Sequence, residues 1–217
     1  MKDVVSWDVY LVTDKSRSRG RSNLEIVQAA VHAGVSVVQL REKDLSARDF
    51  FSEGRKIKNF LVQHNVPLII NDRIEVALAL DADGVHLGQS DVPLEIARKI
   101  LGPDKIIGWS VNDLSHISEE EASLADYLAI SPVFFTSTKK DISTPWGIEG
   151  VRKARFITLS PLIGIGGIDL DNASDVILAG LDCIAVVSAI VSAEDPLLAT
   201  KSLVTTVRKA KQARQIR

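Results

Sequence analysis

Residues 161–190 read PLIGIGGIDLDNASDVILAGLDCIAVVSAI and contain one complete repeat of the fold. The short apolar runs at 162–165 and 183–187 predict buried strands, and the amphipathic segment 170–179 between them predicts a helix. Gly180 follows that segment, where a glycine suits a left-handed helix cap. Because strands that are apolar on both faces are typical of parallel sheets covered by helices, this stretch predicts a strand–helix–strand crossover.

The same alternation extends outward and accounts for the whole chain of 217 residues. Eight strand candidates alternate with eight helical segments, and this number of repeats, each of roughly 25 residues, predicts an α/β protein with a (β/α)8 TIM barrel. No G-x-G-x-x-G turn follows the first strand, which argues against an open dinucleotide-binding sheet. We expect a single barrel domain over residues 1–217. The predicted strands are 9–13, 35–40, 68–70, 84–87, 106–109, 127–130, 162–165 and 183–187, and the predicted helices are 24–33, 47–64, 74–80, 93–101, 114–125, 148–154, 170–179 and 195–214.

Local signals are expected to set the ends of some helices. Asn23, Ser46 and Asp195 stand where they could cap the first, second and last helices. Residues 17–21, which are rich in arginine, are expected to form a solvated loop after the first strand, with a mobile lid as the less favoured alternative.

Composition excludes several classes of function. The formal net charge is −2, with 26 Lys and Arg against 28 Asp and Glu, so no broad positive field favours nucleic acid. The chain has no signal-peptide pattern and no apolar run of about 20 residues that would cross a bilayer. We therefore expect a cytoplasmic protein with no nucleic-acid or membrane partner. Cys183, the single cysteine, lies in an apolar run and is expected to be buried and inert.

Polar residues follow the second predicted strand, at the end of a barrel where active sites lie. Alternation points Gln39, Arg41 and Lys43 to one side, so that an amide, a guanidinium and an ammonium converge. A solvated charged loop is the alternative, but two cations at period-two spacing directly after a core strand favour an anion site.

Two carboxylates end the next two strands. Asn71 and Asp72 follow the third strand and Asp91 follows the fourth, and each could instead cap the helix that comes after it. Acidic oxygen ligands completed by phosphate and water are what Mg²⁺ prefers. Carboxylates beside an anion site make chemical sense mainly if a divalent cation bridges them to the anion, so the sequence predicts a metal there.

Two later parts of the chain predict a second anion site. The glycine-rich loop 164–168 and residues 187–190 follow the last two strands, the usual place for a phosphate grip in this fold. The segment SPVFFTSTKK at 131–140 mixes aromatic, hydroxyl and lysine side chains that suit a planar ligand and a phosphate. Two anion sites imply either a bisphosphate or two phosphorylated substrates.

Six segments carry a resemblance to a known family, in this order and at these spacings. They are YLVTD at 10–14, QLREK at 39–43, INDR at 70–73, DGVHLGQSD at 83–91, TSTKKD at 136–141 and GIGGI at 164–168. On these residues the chain resembles the thiamine-phosphate synthase (thiamine-phosphate pyrophosphorylase) family over nearly its whole length.

The resemblance implies a transferase of thiamine biosynthesis that is commonly a homodimer. Its reaction joins 4-amino-5-hydroxymethyl-2-methylpyrimidine diphosphate to 4-methyl-5-(2-hydroxyethyl)thiazole phosphate and releases diphosphate, by a dissociative substitution assisted by Mg²⁺. The family role assigned to Arg41, Lys43, Lys139 and Ser110 is catalytic, with Ser110 beside the pyrimidine. The residues implied to hold the diphosphate are Gln39, Arg41, Lys43, Asn71 and Lys139, those for the metal are Asp72 and Asp91, and those for the thiazole phosphate are Thr136, Thr138, Gly167, Val187 and Ser188.

Two alternatives remain open at this point. One is an isomerase like thiazole tautomerase, which shares the fold and the monophosphate grip but uses a histidine and lacks the full diphosphate and metal set. Asn112 stands where relatives often carry histidine, and His86 is expected to be a packed or hydrogen-bonded residue of the barrel mouth. The other is a phosphate-binding barrel without catalysis.

Overall fold

The computed structural model, which describes residues 4–117, 120–136 and 144–216, confirms the closed barrel. Eight parallel strands pair in chain order, and the last pairs with the first, so no edge strand is left. The strands are β1 Val9–Val12, β2 Val37–Leu40, β3 Leu68–Asn71, β4 Gly84–Leu87, β5 Ile106–Val111, β6 Tyr127–Ile130, β7 Leu162–Ile165 and β8 Cys183–Val186. The helices are α1 Asn23–His32, α2 Ala47–Gln63, α3 Ile74–Ala79, α4 Leu94–Leu101, α5 Leu114–Ile117, α6 Gly147–Ile157, α7 Ala173–Ala179, α8 Ser188–Val191 and α9 Pro196–Gln215.

Two of the three predicted helix caps are confirmed by the structure. Ser46 and Asp195 accept backbone N–H bonds at the starts of α2 and α9, as predicted. The prediction for Asn23 is wrong. Ser22 caps α1 in a reciprocal capping box with Glu25, which leaves Asn23 inside the helix.

The prediction of one α-helix over 114–125 is wrong, because its described residues form helices of two kinds. Within the described residues, α5 ends at Ile117 and a 3-10 helix spans Glu120–Leu124. An additional short helix, α8, begins directly after β8 and was not predicted. Its four residues are too few for a hydrophobic periodicity to be recognised in sequence.

The loop at 17–21 is fixed more firmly than a solvated loop would be. Ser18 is fully buried, and Arg21 donates to the backbone carbonyls of Ala193 and Glu194 at 2.5 and 3.0 Å. These bonds tie the segment after β1 to the segment after α8. The expectation of a solvated loop holds for Arg19 and Gly20, which are exposed, but not for Ser18, which is buried.

The barrel interior and the layer under the helices form one continuous apolar core. Cys183 is buried in it as a free thiol, and burial raises its pKa, in agreement with an inert side chain. In the described part of the chain, the model contains no helix long and apolar enough to span a bilayer.

Candidate active site

The carboxyl ends of the strands surround a cavity of about 380 Å³. All the predicted site residues that the structure describes line it, although they come from seven different loops or strand ends. Thr138 and Lys139 lie outside the described residues. The predicted residues that line the cavity are Gln39, Arg41, Lys43, Asn71, Asp72, Asp91, Ser110, Thr136, Gly167, Val187 and Ser188.

The segment after β2 presents its two cations to the cavity, as alternation predicts. The Thr13 hydroxyl accepts from the Arg41 backbone N–H at 3.0 Å and holds this segment against the end of β1. Glu42 points the other way, where its carboxylate accepts from the Asn23 amide at 2.6 Å. Burial raises the pKa of Glu42. Within the described chain, neither Arg41 nor Lys43 forms an ion pair, so both cations are available to an anionic ligand.

The two carboxylates of the predicted metal site lie beside each other and cap no helix. The residue before α3 is Arg73 and the residue before α4 is Pro93, and neither helix start has a side-chain cap. Asp91 instead accepts from the Gly88 backbone N–H at 2.6 Å. Asp72 and Asp91 are therefore not helix caps.

Asp72 has a perturbed environment in two respects. Its backbone lies in the left-handed region at φ 60°, a conformation that costs free energy outside glycine and is concentrated at functional sites. Burial, and then the charge of the neighbouring Asp91, raise the pKa of Asp72 to about 6, while the Lys43 ammonium opposes the shift. When both carboxylates are ionised, their repulsion costs free energy, and a bound cation would offset that repulsion.

This donor set fits Mg²⁺. The ion binds one or two carboxylates, and takes its other ligands from phosphate and water. Among the residues that the structure describes, no group of three or more His, Cys, Asp or Glu side chains could hold a metal. Asp72 and Asp91 therefore suit an ion shared with a phosphorylated substrate better than a closed structural site.

The loop after β7 has the backbone that a phosphate grip requires. Gly166 and Gly167 have φ of 100° and 66°. A Cβ at position 167 would come within 2.6 Å of the Phe135 carbonyl oxygen, so only glycine fits. The Asn172 amide donates to the Gly167 carbonyl at 2.9 Å and fixes the peptide orientation.

The two phenylalanines after β6 differ in environment. Phe134 packs against the core, and its backbone N–H donates to Gly166 at 2.9 Å. Phe135 is 72% exposed near the cavity. Neither of the two aromatic rings predicted to cover a planar ligand lines the cavity itself.

A hydrogen-bonded chain across the barrel interior was not predicted from sequence. Gln39 donates to the Tyr10 hydroxyl at 2.8 Å, and the Tyr10 and Tyr127 hydroxyls lie 3.0 Å apart. His86 continues the chain, with Nδ1 3.0 Å from Tyr127 and Nε2 2.8 Å from the Ser110 hydroxyl. The prediction of a hydrogen-bonded His86 is confirmed. The only sequence signal for the tyrosines was their place in the strands, since side chains from distant strands meet only in the closed barrel.

Taken together, the fold and the site define a class: a (β/α)8 barrel with two cations, a carboxylate pair and a glycine loop around one cavity at the carboxyl ends of its strands. The family model described as thiamine monophosphate synthase matches residues 9–190. The chain belongs to the thiamine-phosphate synthase family and is a transferase of thiamine biosynthesis.

Individual relatives agree over nearly the full chain. The thiamine-phosphate synthase of Albidiferax ferrireducens is 50% identical over 90% of this chain and 89% of its own length. That of Clostridium novyi is 47% identical over 92% and 98%. Among solved structures, thiamine phosphate pyrophosphorylase from Pyrococcus furiosus has a TM-score of 0.87 at 35% identity, over 95% of this chain and 98% of that one. A 3-hexulose-6-phosphate synthase, at 16% identity and a TM-score of 0.67, shares the fold alone.

Proposed function

We propose that this enzyme condenses 4-amino-5-hydroxymethyl-2-methylpyrimidine diphosphate with 4-methyl-5-(2-hydroxyethyl)thiazole phosphate, giving thiamine phosphate and diphosphate. One observation carries the proposal: the carboxylate pair Asp72 and Asp91 shares a cavity with the glycine loop and with two cations that form no ion pair among the described residues. This arrangement offers places for a diphosphate with its metal and for a separate monophosphate.

The reaction then proceeds by charge neutralisation and positioning. Arg41 and Lys43 bind the diphosphate oxygens and stabilise the negative charge that develops as the bond from oxygen to the pyrimidine methylene breaks. The electron pair leaves with diphosphate, and the ring amino group stabilises the methylene cation. Mg²⁺ held by Asp72 and Asp91 would supply a Lewis acid for the same leaving group.

The second substrate reacts because its bound phosphate places the thiazole ring beside the methylene carbon. We propose that Gly167, Val187, Ser188 and Thr136, with Thr138, hold the thiazole phosphate, so that the ring nitrogen lies near the methylene carbon and forms the new bond. Ser110 contacts the pyrimidine, while Gln39, Asn71 and Lys139 contribute to the diphosphate. The step requires no nucleophilic side chain, which fits the buried, inert Cys183.

An isomerase that shifts a proton on the thiazole is less well supported. It would need a free base in the mouth, and both ring nitrogens of His86 already have partners. A barrel without catalysis predicts that some charged positions of the site are lost, whereas Arg41, Lys43, Asp72 and Asp91 are all present. The homodimer, the cytoplasmic location and the domain limits 1–217 remain predictions.

The decisive experiment is product formation. The purified protein is incubated with both substrates and Mg²⁺, and diphosphate and thiamine phosphate are measured; we expect both in equal amounts and neither after chelation of the metal. Asp91→Ala should lower kcat/KM by about 100-fold or more, because the leaving group loses charge stabilisation. Asp44→Ala, which removes an exposed carboxylate from the same loop as Lys43, is the control and should stay near wild type. Absence of thiamine phosphate with every metal would refute the proposal.

A further inference from the structure

The interior network, which comprises Gln39, Tyr10, Tyr127, His86 and Ser110, connects two sides of the active-site cavity through the barrel. Gln39 and Ser110, at its ends, line the cavity, and so do Tyr10 and His86. The five residues come from β2, β1, β6, β4 and β5. The proposed function uses only the two ends, and it gives Tyr10, Tyr127 and His86 no role.

The donor of the first bond in the network is fixed, and it favours one direction for the bonds that follow. The Gln39 amide nitrogen can only donate, so the Tyr10 oxygen accepts its hydrogen. Among the described residues, the acceptor that this leaves for the Tyr10 hydroxyl hydrogen is the Tyr127 oxygen, and the Tyr127 hydrogen then goes to Nδ1 if His86 is neutral. That imidazole carries its proton on Nε2 and donates it to the Ser110 oxygen. The Ser110 hydroxyl hydrogen is consequently left for a ligand.

The opposite direction would give the opposite chemistry. If the Ser110 hydroxyl donated to His86, its hydrogen would be consumed and only oxygen lone pairs would face the cavity. The direction thus determines whether Ser110 acts on a ligand as a hydrogen-bond donor or only as an acceptor.

The surroundings of the tyrosines hold the network in place. Both rings are fully buried, and burial raises the pKa of both hydroxyls, so each keeps one proton to donate. The Trp7 ring packs edge-on against each of them, with centroid distances of 5.8 Å. A Cβ at position 108 would lie 1.9 Å from the ring of Tyr127, so Gly108 leaves the space that this ring occupies.

We propose that Tyr10, Tyr127 and His86 are positioning residues that keep the Ser110 hydroxyl as a donor to a ring nitrogen of the pyrimidine. The proposal rests on the proposed function and adds a basis for specificity. A 4-aminopyrimidine has a bare nitrogen beside its amino group, which accepts a hydrogen bond. Its 4-oxo analogue carries a proton on that nitrogen, so a donating Ser110 favours the amino form.

The direction itself is tested without any substrate. The ring nitrogens of the four histidines are labelled with ¹⁵N, and the His86 signals are identified by their loss in His86→Gln. We expect His86 to be neutral with the proton on Nε2 in the wild type, and this preference should weaken in Tyr127→Phe, which removes the donor to Nδ1. A proton on Nδ1, or on both nitrogens, near pH 8 would overturn the proposal.

Specificity is tested by comparing kcat/KM for the aminopyrimidine diphosphate and its oxo analogue. Tyr127→Phe keeps the ring and removes the hydroxyl, and should reduce the ratio of the two values by about tenfold, the effect of one misdirected hydrogen bond. Tyr10→Phe, one step further from Ser110, should reduce it less. An unchanged ratio in Tyr127→Phe, or an equal loss with both substrates, would overturn the positioning role.

Two further variants separate hydrogen bonding from packing. His86→Gln retains a donor for Ser110 and should keep most of the ratio, whereas His86→Leu should lose it. Ile163→Val, which removes a methyl group from the cavity wall outside the network, should leave the ratio unchanged. If the wild type fails to turn over the aminopyrimidine diphosphate, the proposed function fails, while the nitrogen spectrum still decides the direction of the network.

Discussion

The two ends of the barrel differ in whether selected charged side chains form ion pairs within the protein. At the amino ends of the strands, aspartates precede β1, β4, β6 and β8, and each of these carboxylates is paired with one or two cations from the surrounding helices. At the carboxyl ends, Arg41 and Lys43 form no ion pair among the described residues, and Asp72 has another carboxylate beside it. The aspartates at the amino ends are paired within the protein, whereas the proposed function assigns Arg41, Lys43 and the two carboxylates to a ligand.

Asp182 illustrates the amino end. Its carboxylate accepts from the Leu162 backbone N–H at 2.9 Å and forms ion pairs with Arg155 and Arg214 at 2.9 and 3.1 Å. These contacts join β7, β8, α6 and α9. The same motif recurs at Asp83 and Asp126, which accept from the backbone of β3 and β5. Charge there connects neighbouring repeats and supports the barrel.

The comparison predicts that removing a cation from the carboxyl end of the barrel lowers the rate of turnover without lowering the stability of the fold. Lys43→Ala should lower kcat/KM by about 100- to 1,000-fold, because the leaving diphosphate loses a charge-assisted contact. The midpoint of thermal unfolding should stay within a few degrees of wild type, since Lys43 is exposed and forms no ion pair with any residue that the structure describes. Steady-state kinetics and calorimetry measure these two effects. A kcat/KM near that of wild type, or a large fall in the unfolding temperature, would contradict the prediction.

The converse is expected for Asp182→Ala at the amino end. Removing this carboxylate leaves the Leu162 backbone N–H without its acceptor and two partly buried arginines without their counterion, which should reduce the free energy of unfolding by about 2–4 kcal/mol. Below the unfolding transition, kcat should match wild type. Urea titration measures the first effect, and a fall in kcat of the folded variant would contradict the separation of the two ends.

Asp72→Asn tests whether the mouth is destabilised by its own charges. The pKa of Asp72 rises from an unfolded value of 3.8 to about 6 on folding, so ionisation destabilises the folded chain, progressively from about pH 4 and fully above about pH 6. The metal-free variant should therefore be more stable than wild type by about 1–3 kcal/mol near pH 8, and equal to it near pH 4. Asparagine also tolerates the left-handed backbone of this position.

Metal addition completes that test. Mg²⁺ should raise the unfolding temperature of the wild type near pH 8 but not that of Asp72→Asn, and its effect should weaken below about pH 6 as protons compete for the carboxylate. A variant less stable than wild type at every pH would show that Asp72 contributes to the fold rather than to a ligand site.

The smallest effect is expected at an ion pair that belongs to neither end. Arg152 and Glu149 are paired one turn apart on the outer face of α6, and both side chains are exposed. Arg152→Ala should change the free energy of unfolding by no more than about 0.5 kcal/mol and leave kcat unchanged, because water screens such pairs. A larger loss would mean that the contribution of an ion pair to the free energy of unfolding does not depend on where the pair lies in the barrel.

The sequence predicted the repeat structure well because each element carries its own periodicity. All eight strands lie within one or two residues of the predicted bounds, since short runs apolar on both faces are distinctive in a covered parallel sheet. The helix at 114–125 and the cap at Asn23 were wrong. Helix breaks and the choice between adjacent capping residues depend on packing that periodicity does not record.

The catalytic mouth was predictable to the extent that it depends on position along a strand. Gln39, Arg41 and Lys43 are two residues apart, so alternation alone places them on one face. Asp72 and Asp91 were ambiguous in sequence, because an aspartate after a strand suits a helix cap as well as a metal. Only the structure shows that the helix starts lack side-chain caps and that the carboxylates lie together.

The sequence by itself therefore determined the barrel, the end at which its chemistry lies and the charged residues Arg41, Lys43, Asp72 and Asp91 around the cavity, because these follow from short-range order along the chain. The tertiary structure alone decided which side chains meet across the barrel. Tyr10 and Tyr127 are separated by 117 positions, yet their hydroxyls are 3.0 Å apart. Closure of eight strands brings them together, and no local pattern encodes which inward-facing residues will share a layer.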